Sequence, residues 1–313
     1  MARLEMPMTG RKFWISIAVL IGLWVSITAG AHATEERTLV LQQSLKNRPY
    51  IVVSINGTET YALLDTAATI ALIDNEFVLP DETGSYGAEQ ARIIGLGGKR
   101  EFPIGSLDTL RAGTETWLDL RVAVDTESRF PIRRSVLPIS IFETNIVDFD
   151  FTNRRVHLYD GRPRRVTGGT KSSMKYSDVN NLIFLPIEMN GVRGTALIDT
   201  GADLSFVNQR FADVANARLD EERTKILQGI DLAKNWASIH QFRRLEFGDY
   251  FFNRLTLPVV TTDLFTELGF EADEPMMVMG MDLLSHFRMQ VDRKRSRVTF
   301  VLAPERDRRS RVR

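Results

Sequence analysis

Two aspartates in this 313-residue chain each end an apolar run of the same pattern. Asp65 ends the run ALLD and precedes Thr66, and Asp199 ends the run ALID and precedes Thr200. A carboxylate at the end of a buried apolar run is costly unless it is hydrogen-bonded or partnered. If the two runs meet, each aspartate partners the other and the pair shares a proton. One carboxyl could then act as a base on water while the other donates a proton to a carbonyl oxygen.

The surrounding residues indicate an internal repeat. The stretches that begin at Ile55 and Met189 align without a gap, and Asp199 lies 134 residues after Asp65. A second pair of stretches, from Val136 and Val278, also aligns without a gap. The identical pairs are Asn56/Asn190, Gly57/Gly191, Ala62/Ala196, Leu63/Leu197, Asp65/Asp199, Thr66/Thr200, Ala68/Ala202, Phe77/Phe211, Val136/Val278, Asp150/Asp292, Arg155/Arg297 and Val156/Val298. A match at a fixed offset is the signature of a repeated unit.

Short strands must carry these aspartates. The apolar runs before each aspartate are preceded by Asn-Gly pairs, which predict tight β-hairpins. The alternating stretches LDLRVAVD and RLTLPVV also read as strands, whereas NQRFADVANARL and MDLLSHF fit short helices. Each half is therefore predicted to be mostly β with one or two short helices.

The chain divides into five segments by this reading. We expect a signal peptide or anchor at 1–33, an N-terminal lobe at 37–160, a linker at 161–178, a C-terminal lobe at 179–303 and a charged tail at 304–313. The linker assignment comes from the polar, Gly- and Ser-rich composition of GRPRRVTGGTKSSMKYSD.

The amino terminus has the layout of a secretory signal. Arg11 and Lys12 precede an apolar stretch that ends in small residues at Ala31 and Ala33, a pattern that predicts cleavage after Ala33. The alternative is an uncleaved anchor, because the apolar stretch is close to the ~20 residues that cross a bilayer. We expect export to a bacterial periplasm, or attachment to the inner membrane facing it.

Composition excludes several classes of function. The 40 basic and 40 acidic side chains balance, so bulk charge gives no reason to expect a nucleic-acid partner. The chain has no cysteine, and its four histidines have no metal-ligand spacing, so we expect no metal and no cofactor. The run GLGGKR lacks the spacing of a phosphate-binding loop.

The stretches LLDTAATIALID and LIDTGADLSFVN resemble the active-site loops of aspartic peptidases, and the retropepsin-like kind more than the long pepsin-like kind. VMGMDLLSHFRMQVD is similar to the second motif of that family, and ARIIGLGGKREF stands where the family has its flap, a hairpin over the substrate. The resemblance spans roughly 37–303. It implies a mostly β, bilobal aspartic-protease fold of two homologous lobes with short helices. It also implies that the protein hydrolyses peptide bonds in polypeptides.

The resemblance also implies roles for individual residues. Asp65 and Asp199 would be the catalytic pair, with water as the only co-reactant. Thr66 and Thr200 would lock the two loops together, Gly201 would give the second loop its tight turn, and Gly280 would lie under that loop. Gly95, Gly97 and Gly98 would bend the flap or, alternatively, form only a surface turn. Asp203 would line a subsite or, alternatively, serve as a surface or capping residue.

Three departures from the family pattern bear on activity. Ala67 replaces glycine in the first loop, and Pro138 stands where the second half has Gly280, so the first support loop must differ. The alternative to a peptidase is therefore an exported peptide-binding protein with a degraded site on the same fold. Ala68 and Ala202 leave both loops without a serine hydroxyl, which predicts activity at mildly acidic to neutral pH. With both loops on one chain we expect a monomer; pairing of copies in trans is the alternative.

Overall fold

The computed structural model describes residues 36–42, 47–80, 85–127, 135–167, 169–228 and 234–302. All of them belong to one compact unit, Thr34–Arg313. The expected signal segment and charged tail lie outside the described residues. Within the described ranges, no helix is both long and apolar enough to cross a membrane.

Strands dominate both halves, as the periodicity predicts. We call the described residues of 37–160 lobe one and those of 179–302 lobe two. Lobe one contains β1 (Arg37–Gln42), β2 (Tyr50–Ile55), β3 (Thr58–Asp65), β4 (Leu72–Asp74), β5 (Gln90–Gly95), β6 (Gly98–Ala112), β7 (Glu115–Asp125), β8 (Ser135–Pro138), β9 (Ile146–Asp150) and β10 (Arg155–Tyr159). Two single-turn 3-10 helices, Asn75–Phe77 and Ile139–Ile141, complete it.

The second half carries the remaining elements. They are β11 (Thr170–Lys175), β12 (Ser177–Val179), β13 (Leu182–Met189), β14 (Val192–Ile198), β15 (Phe206–Asn208), α1 (Gln209–Val214), β16 (Arg218–Gln228), β17 (Lys234–Phe247), β18 (Tyr250–Val260), α2 (Leu264–Glu267), β19 (Met276–Met279), α3 (Met281–Leu284), β20 (Phe287–Asp292), a 3-10 turn (Arg293–Arg295) and β21 (Arg297–Leu302). Helix α1 lies within NQRFADVANARL and α3 within MDLLSHF, the two stretches that the sequence predicts to be short helices.

The Asn-Gly pairs form the expected hairpins. Asn56 and Gly57 turn between β2 and β3 with φ of 48° and 85°, and Asn190 and Gly191 turn between β13 and β14 with φ of 53° and 86°. Two successive positive φ angles match the twist of antiparallel strands and are tolerated best by this residue pair. Each hairpin fixes the register of the strand that leads to an aspartate.

The two lobes arrange their strands in the same order. Lobe one runs β2-β3-β8-β4-β7-β6-β5, and lobe two runs β13-β14-β19-β15-β18-β17-β16, with β12 added at the β13 edge. In both lobes the aspartate strand lies parallel to the strand from the later motif: β3 beside β8 and β14 beside β19. Both halves thus place their aspartate loop between corresponding strands.

A shared sheet joins the lobes. Its order is β11-β21-β20-β9-β10-β1, so β9 of the first half pairs directly with β20 of the second. The buried Asp148 carboxylate accepts hydrogen bonds from Arg288, at 2.7 and 2.8 Å, and from Gln290 at 3.0 Å. This junction ties the two halves together beneath the loops.

The segment expected to be only a linker also forms sheet. Residues 161–178 contain β11, which pairs with β21 along its whole length, and the start of β12. Backbone pairing needs no apolar pattern, which is why the polar composition did not indicate a strand.

Candidate active site

The ends of β3 and β14 deliver the two predicted aspartates to one place. Asp65 is the last residue of β3, in register with Pro138 of β8. Asp199 follows β14, and its backbone N–H donates to the Met279 carbonyl at 3.0 Å. Because both strands lie inside buried sheets, the loops that follow them have little freedom to separate.

The two threonines that follow the aspartates join the loops across the lobes. The Thr66 hydroxyl donates to the Ile198 carbonyl and the Thr200 hydroxyl donates to the Leu64 carbonyl, both at 2.7 Å. Each hydroxyl oxygen also accepts the backbone N–H of the other threonine, at 3.0 and 3.1 Å. Both side chains are fully buried, so these four bonds fix the loops against each other.

Backbone N–H groups hold the carboxylates. Ala67 N–H donates to Asp65 at 2.7 Å, while Gly201 and Ala202 N–H donate to Asp199 at 2.8 and 2.9 Å. The two carboxyls lie side by side across Gly201, since a Cβ built there would lie 2.8 Å from Asp65 Cγ and 3.1 Å from Asp199 Oδ1. Carboxyls this close cannot both ionise readily, which favours a shared proton.

The surroundings favour retention of a proton on this pair. Burial raises the pKa of Asp199 well above its usual value, and the neighbouring Asp65 raises it further. Burial also raises the pKa of Asp65, while the Ala67 N–H bond and the positive charge of Arg48 lower it. The pair therefore keeps a proton more readily than an exposed carboxyl does, and the positive charge of Arg48 acts on its Asp65 side.

Gly201 is required by close approach. A Cβ at this position would lie 2.8 Å from Asp65 Cγ and 3.1 Å from Asp199 Oδ1. Its φ lies outside the left-handed range, so the tight-turn conformation expected from the sequence is not what demands glycine here. The absence of a side chain at Gly201 makes room for the Asp65 carboxyl of the first loop.

Asp203 forms an ion pair with a residue that the sequence did not single out. Arg48 Nε lies 2.8 Å from Asp203 Oδ1, and the Arg48 guanidinium also donates to the Gly201 carbonyl at 3.4 Å. The pair joins the segment before β2 to the loop that follows Asp199. No sequence signal links residues so far apart, although Asp203 itself was a candidate.

Gly280 packs closely against the segment that follows the second aspartate. Its N–H donates to Ser205 Oγ at 2.9 Å, and a Cβ there would lie 2.8 Å from the Leu204 carbonyl carbon. The Asp282 carboxylate accepts the Ser205 hydroxyl at 2.6 Å and the Ser205 N–H at 2.8 Å. This network anchors the loop to α3.

Lobe one replaces this network with apolar packing. Strand register sets Pro138 where lobe two has Gly280, and Ala71 where it has Ser205. Pro138 lacks the N–H, and Ala71 lacks the hydroxyl that would have accepted it. Pro138 has φ −66° and ψ 146°, an ordinary extended conformation. The two substitutions match, because the N–H that Pro138 lacks is the one that the hydroxyl missing from Ala71 would have accepted.

The predicted flap is the β5–β6 hairpin. Gly95 pairs with Gly98, and Leu96 and Gly97 form the two-residue turn between them. Gly98 has φ +120°, a conformation that glycine adopts readily, whereas Gly95 and Gly97 show no such need. The hairpin tip contacts lobe two, where the Thr262 hydroxyl donates a hydrogen bond to the Leu96 carbonyl at 2.7 Å.

A second hairpin, missed by the sequence reasoning, occupies the corresponding place in lobe two. It is formed by β16 and β17, in the sheet position that β5 and β6 hold in lobe one. Residues 229–233, between these strands, lie outside the described residues. The repeat itself was the available signal, because a flap in one half predicts a counterpart before the strand RLTLPVV.

The described residues contain no group of three or more His, Asp or Glu side chains that could hold a metal ion. The arrangement of the two carboxyls can act on a water molecule by acid–base chemistry alone.

Comparison with known proteins agrees with this geometry. Residues 185–283 match the family model for aspartyl proteases. The matched range includes the second loop, its support and the second hairpin. A comparison of the sequence with curated proteins finds no match.

The fold is similar to that of a solved structure, an aspartic proteinase from Irpex lacteus. The TM-score is 0.53 at 12% identity, and the match covers 86% of this chain and 98% of the other. The mostly β, bilobal aspartic-protease fold expected from the sequence is thereby confirmed. The family match supports protease activity in general terms, and the structural match supports the fold.

Proposed function

We propose that this chain is an aspartic endopeptidase whose catalytic pair is Asp65 and Asp199. The observation that carries the proposal is the geometry of that pair: two carboxyls side by side across Gly201, on loops joined by reciprocal threonine bonds. A shared proton between two carboxyls is the chemistry that the reaction needs.

The reaction follows from the unequal surroundings of the two carboxyls. Ionised Asp65 takes a proton from a water molecule, whose oxygen bonds to the carbonyl carbon of the peptide, while Asp199 donates its proton to the carbonyl oxygen. Asp65 then passes its proton to the peptide nitrogen and the C–N bond breaks. As the carbonyl re-forms, its proton returns to Asp199, which restores the pair with one water consumed.

The substrate is an extended polypeptide. The flap hairpin offers backbone groups near its tip, to which a peptide can add as a further strand. Gly95, Gly97 and Gly98 leave these groups free of side-chain bulk. Asp203 affects substrate binding only indirectly in this proposal, because its carboxylate forms an ion pair with Arg48 at 2.8 Å.

The decisive test is loss of cleavage in conservative variants. Asp65→Asn and Asp199→Asn should each abolish hydrolysis of casein and of a fluorogenic peptide library, and pepstatin should inhibit the parent protein. Asp213→Asn is the matched control, because Asp213 lies exposed on α1 and bonds to Gln209. Peptide binding without any cleavage by the parent protein would favour the alternative of a degraded, peptide-binding protein.

We also infer how the molecule is organised and where it works. The identical strand order of the lobes supports descent of both from one repeated unit, and two loops on one chain support a monomer. The signal layout of residues 11–33 supports export to the periplasm, with an inner-membrane anchor as the alternative. Amino-terminal sequencing of the periplasmic protein should give a start near Thr34 if the signal is cleaved, and sedimentation should give a monomer mass.

A further inference from the structure

Two polar contacts join the flap to lobe two. The Thr262 hydroxyl donates to the Leu96 carbonyl at 2.7 Å, and Lys99 Nζ lies 2.5 Å from Glu267 Oε2. Thr262 precedes α2 and Glu267 is its last residue. One contact is made by the turn, through Leu96, and the other by Lys99 at the start of β6, so the two together restrain the tip.

An apolar contact reinforces them. Leu96 is only 9% exposed, although it lies in the turn of a surface hairpin. It belongs to a cluster whose other buried members all come from lobe two: Leu182, Phe184, Leu197, Phe206, Leu227, Ala237, Val260, Leu264, Phe265, Met276 and Val278. Burial of a leucine side chain among apolar neighbours stabilises such a contact.

This cluster borders the catalytic loops. Ala67, two residues after Asp65, and Ala202, three residues after Asp199, pack against it as partly buried members. Leu96 therefore fills apolar space beside the loops that carry the carboxyl pair. A peptide side chain entering the cleft at this point meets space that is already taken.

We propose that Thr262 and Glu267 are positioning residues that dock the flap tip onto lobe two, and that this docking controls entry of the polypeptide substrate. The proposal rests on the proposed peptidase function. In the free protein Leu96 occupies the apolar cluster, and the tip must leave it before a peptide is admitted. Apparent substrate affinity is then reduced by the fraction of molecules whose flap is docked.

Removal of the hydroxyl tests the docking without a change in side-chain shape. Thr262→Val deletes the hydrogen bond to the Leu96 carbonyl, together with the bond that the Thr262 oxygen accepts from the Leu264 N–H at 3.1 Å within lobe two. Loss of the first bond shifts the docking equilibrium about fivefold on the usual net value. We expect KM for a peptide substrate to fall about fivefold while kcat changes less than twofold. Thr262→Ser, which keeps the hydroxyl, should restore the parent KM.

A matched control lies four residues away. The Thr266 hydroxyl donates to the Asp263 carbonyl at 2.9 Å, within α2, and Thr266 is exposed. Thr266→Val should therefore leave KM unchanged. Glu267→Gln should act like Thr262→Val in direction, whereas Glu101→Gln should not, because Glu101 pairs with Arg92 within the hairpin at 3.6 Å.

Hydrogen exchange separates this inference from the peptidase function. Peptides that cover 90–104 should exchange about fivefold faster in Thr262→Val and at the parent rate in Thr266→Val, with β9 and β20 peptides as unchanged internal references. This result is expected even from a protein that cleaves nothing. Unchanged flap exchange in Thr262→Val overturns the docking, and a raised KM or a kcat loss above twofold overturns its role in substrate entry.

Discussion

The carboxyl pair depends on the absence of one methyl group, and Gly201→Ala tests this. The added Cβ would stand 2.8 Å from Asp65 Cγ, whereas ordinary contacts of a Cβ begin at 3.4 Å. The Asp65 carboxyl must therefore move by at least about 0.6 Å, the difference between those two distances. Because the Ala67 N–H and the Asp199 carboxyl hold Asp65 from other sides, that movement breaks the geometry of the pair.

The size of the effect follows from the displacement. A misplacement of about 1 Å at a reacting group costs roughly 10²-fold in rate, so we expect kcat to fall by about 10- to 100-fold. Stability should change less, by about 1–2 kcal/mol, because overpacking is partly offset by the reduced entropy of the unfolded chain. Steady-state cleavage of a fluorogenic peptide and urea unfolding measure the two quantities.

The first loop supplies the comparison. Ala67 occupies the position equivalent to Gly201, so one loop already carries the methyl group that the other excludes. Ala67→Gly, which removes the methyl but keeps the N–H on Asp65, should cost far less activity than Gly201→Ala. Full activity in Gly201→Ala, or an equal loss in both variants, would refute the close-approach argument.

Three further outcomes are expected. Thr200→Val leaves two buried backbone groups of the first loop without their partners and should lower the free energy of unfolding in urea by about 2–4 kcal/mol, whereas Thr200→Ser should not. Asp199→Asn should raise the melting temperature at pH 7 but not at pH 3. Because the pKa of Asp199 is raised on folding, its protonated form stabilises the fold. That contribution is complete below the pKa of the unfolded state and is lost as pH rises through the pKa of the folded state. Arg48→Gln should move the acidic limb of the kcat/KM profile to higher pH, because Arg48 lowers the pKa of Asp65; an unmoved limb would contradict that effect.

Local sequence predicted the parts of the site that lie close to each aspartate. The Asn-Gly turns, the strands that end at Asp65 and Asp199, and the short helix after the second loop all follow from residue types within a few positions. Such features depend on φ preference and apolar pattern, which a sequence displays directly.

The contacts between distant segments could not be predicted in the same way. Arg48 meets Asp203, and Leu96 meets Thr262, only because the lobes face each other, and neither pair has a spacing that a pattern could reveal. Strand β11 was missed for another reason, since an edge strand needs backbone partners more than a particular composition.

The positions at which the two aspartate loops differ give the two carboxyls unequal surroundings. A symmetric pair of carboxyls has no reason to prefer one proton holder, yet the proposed reaction needs one acid and one base. Thr69 stands where lobe two has Asp203, so the ion pair with Arg48 has no counterpart at the first loop. The positive charge favours the ionised form of Asp65, while burial raises the pKa of both carboxyls and so favours one proton on the pair. We infer that the unequal loops are what assign the two roles, and that Pro138 and Ala71 show how far lobe one can differ while its loop stays in place.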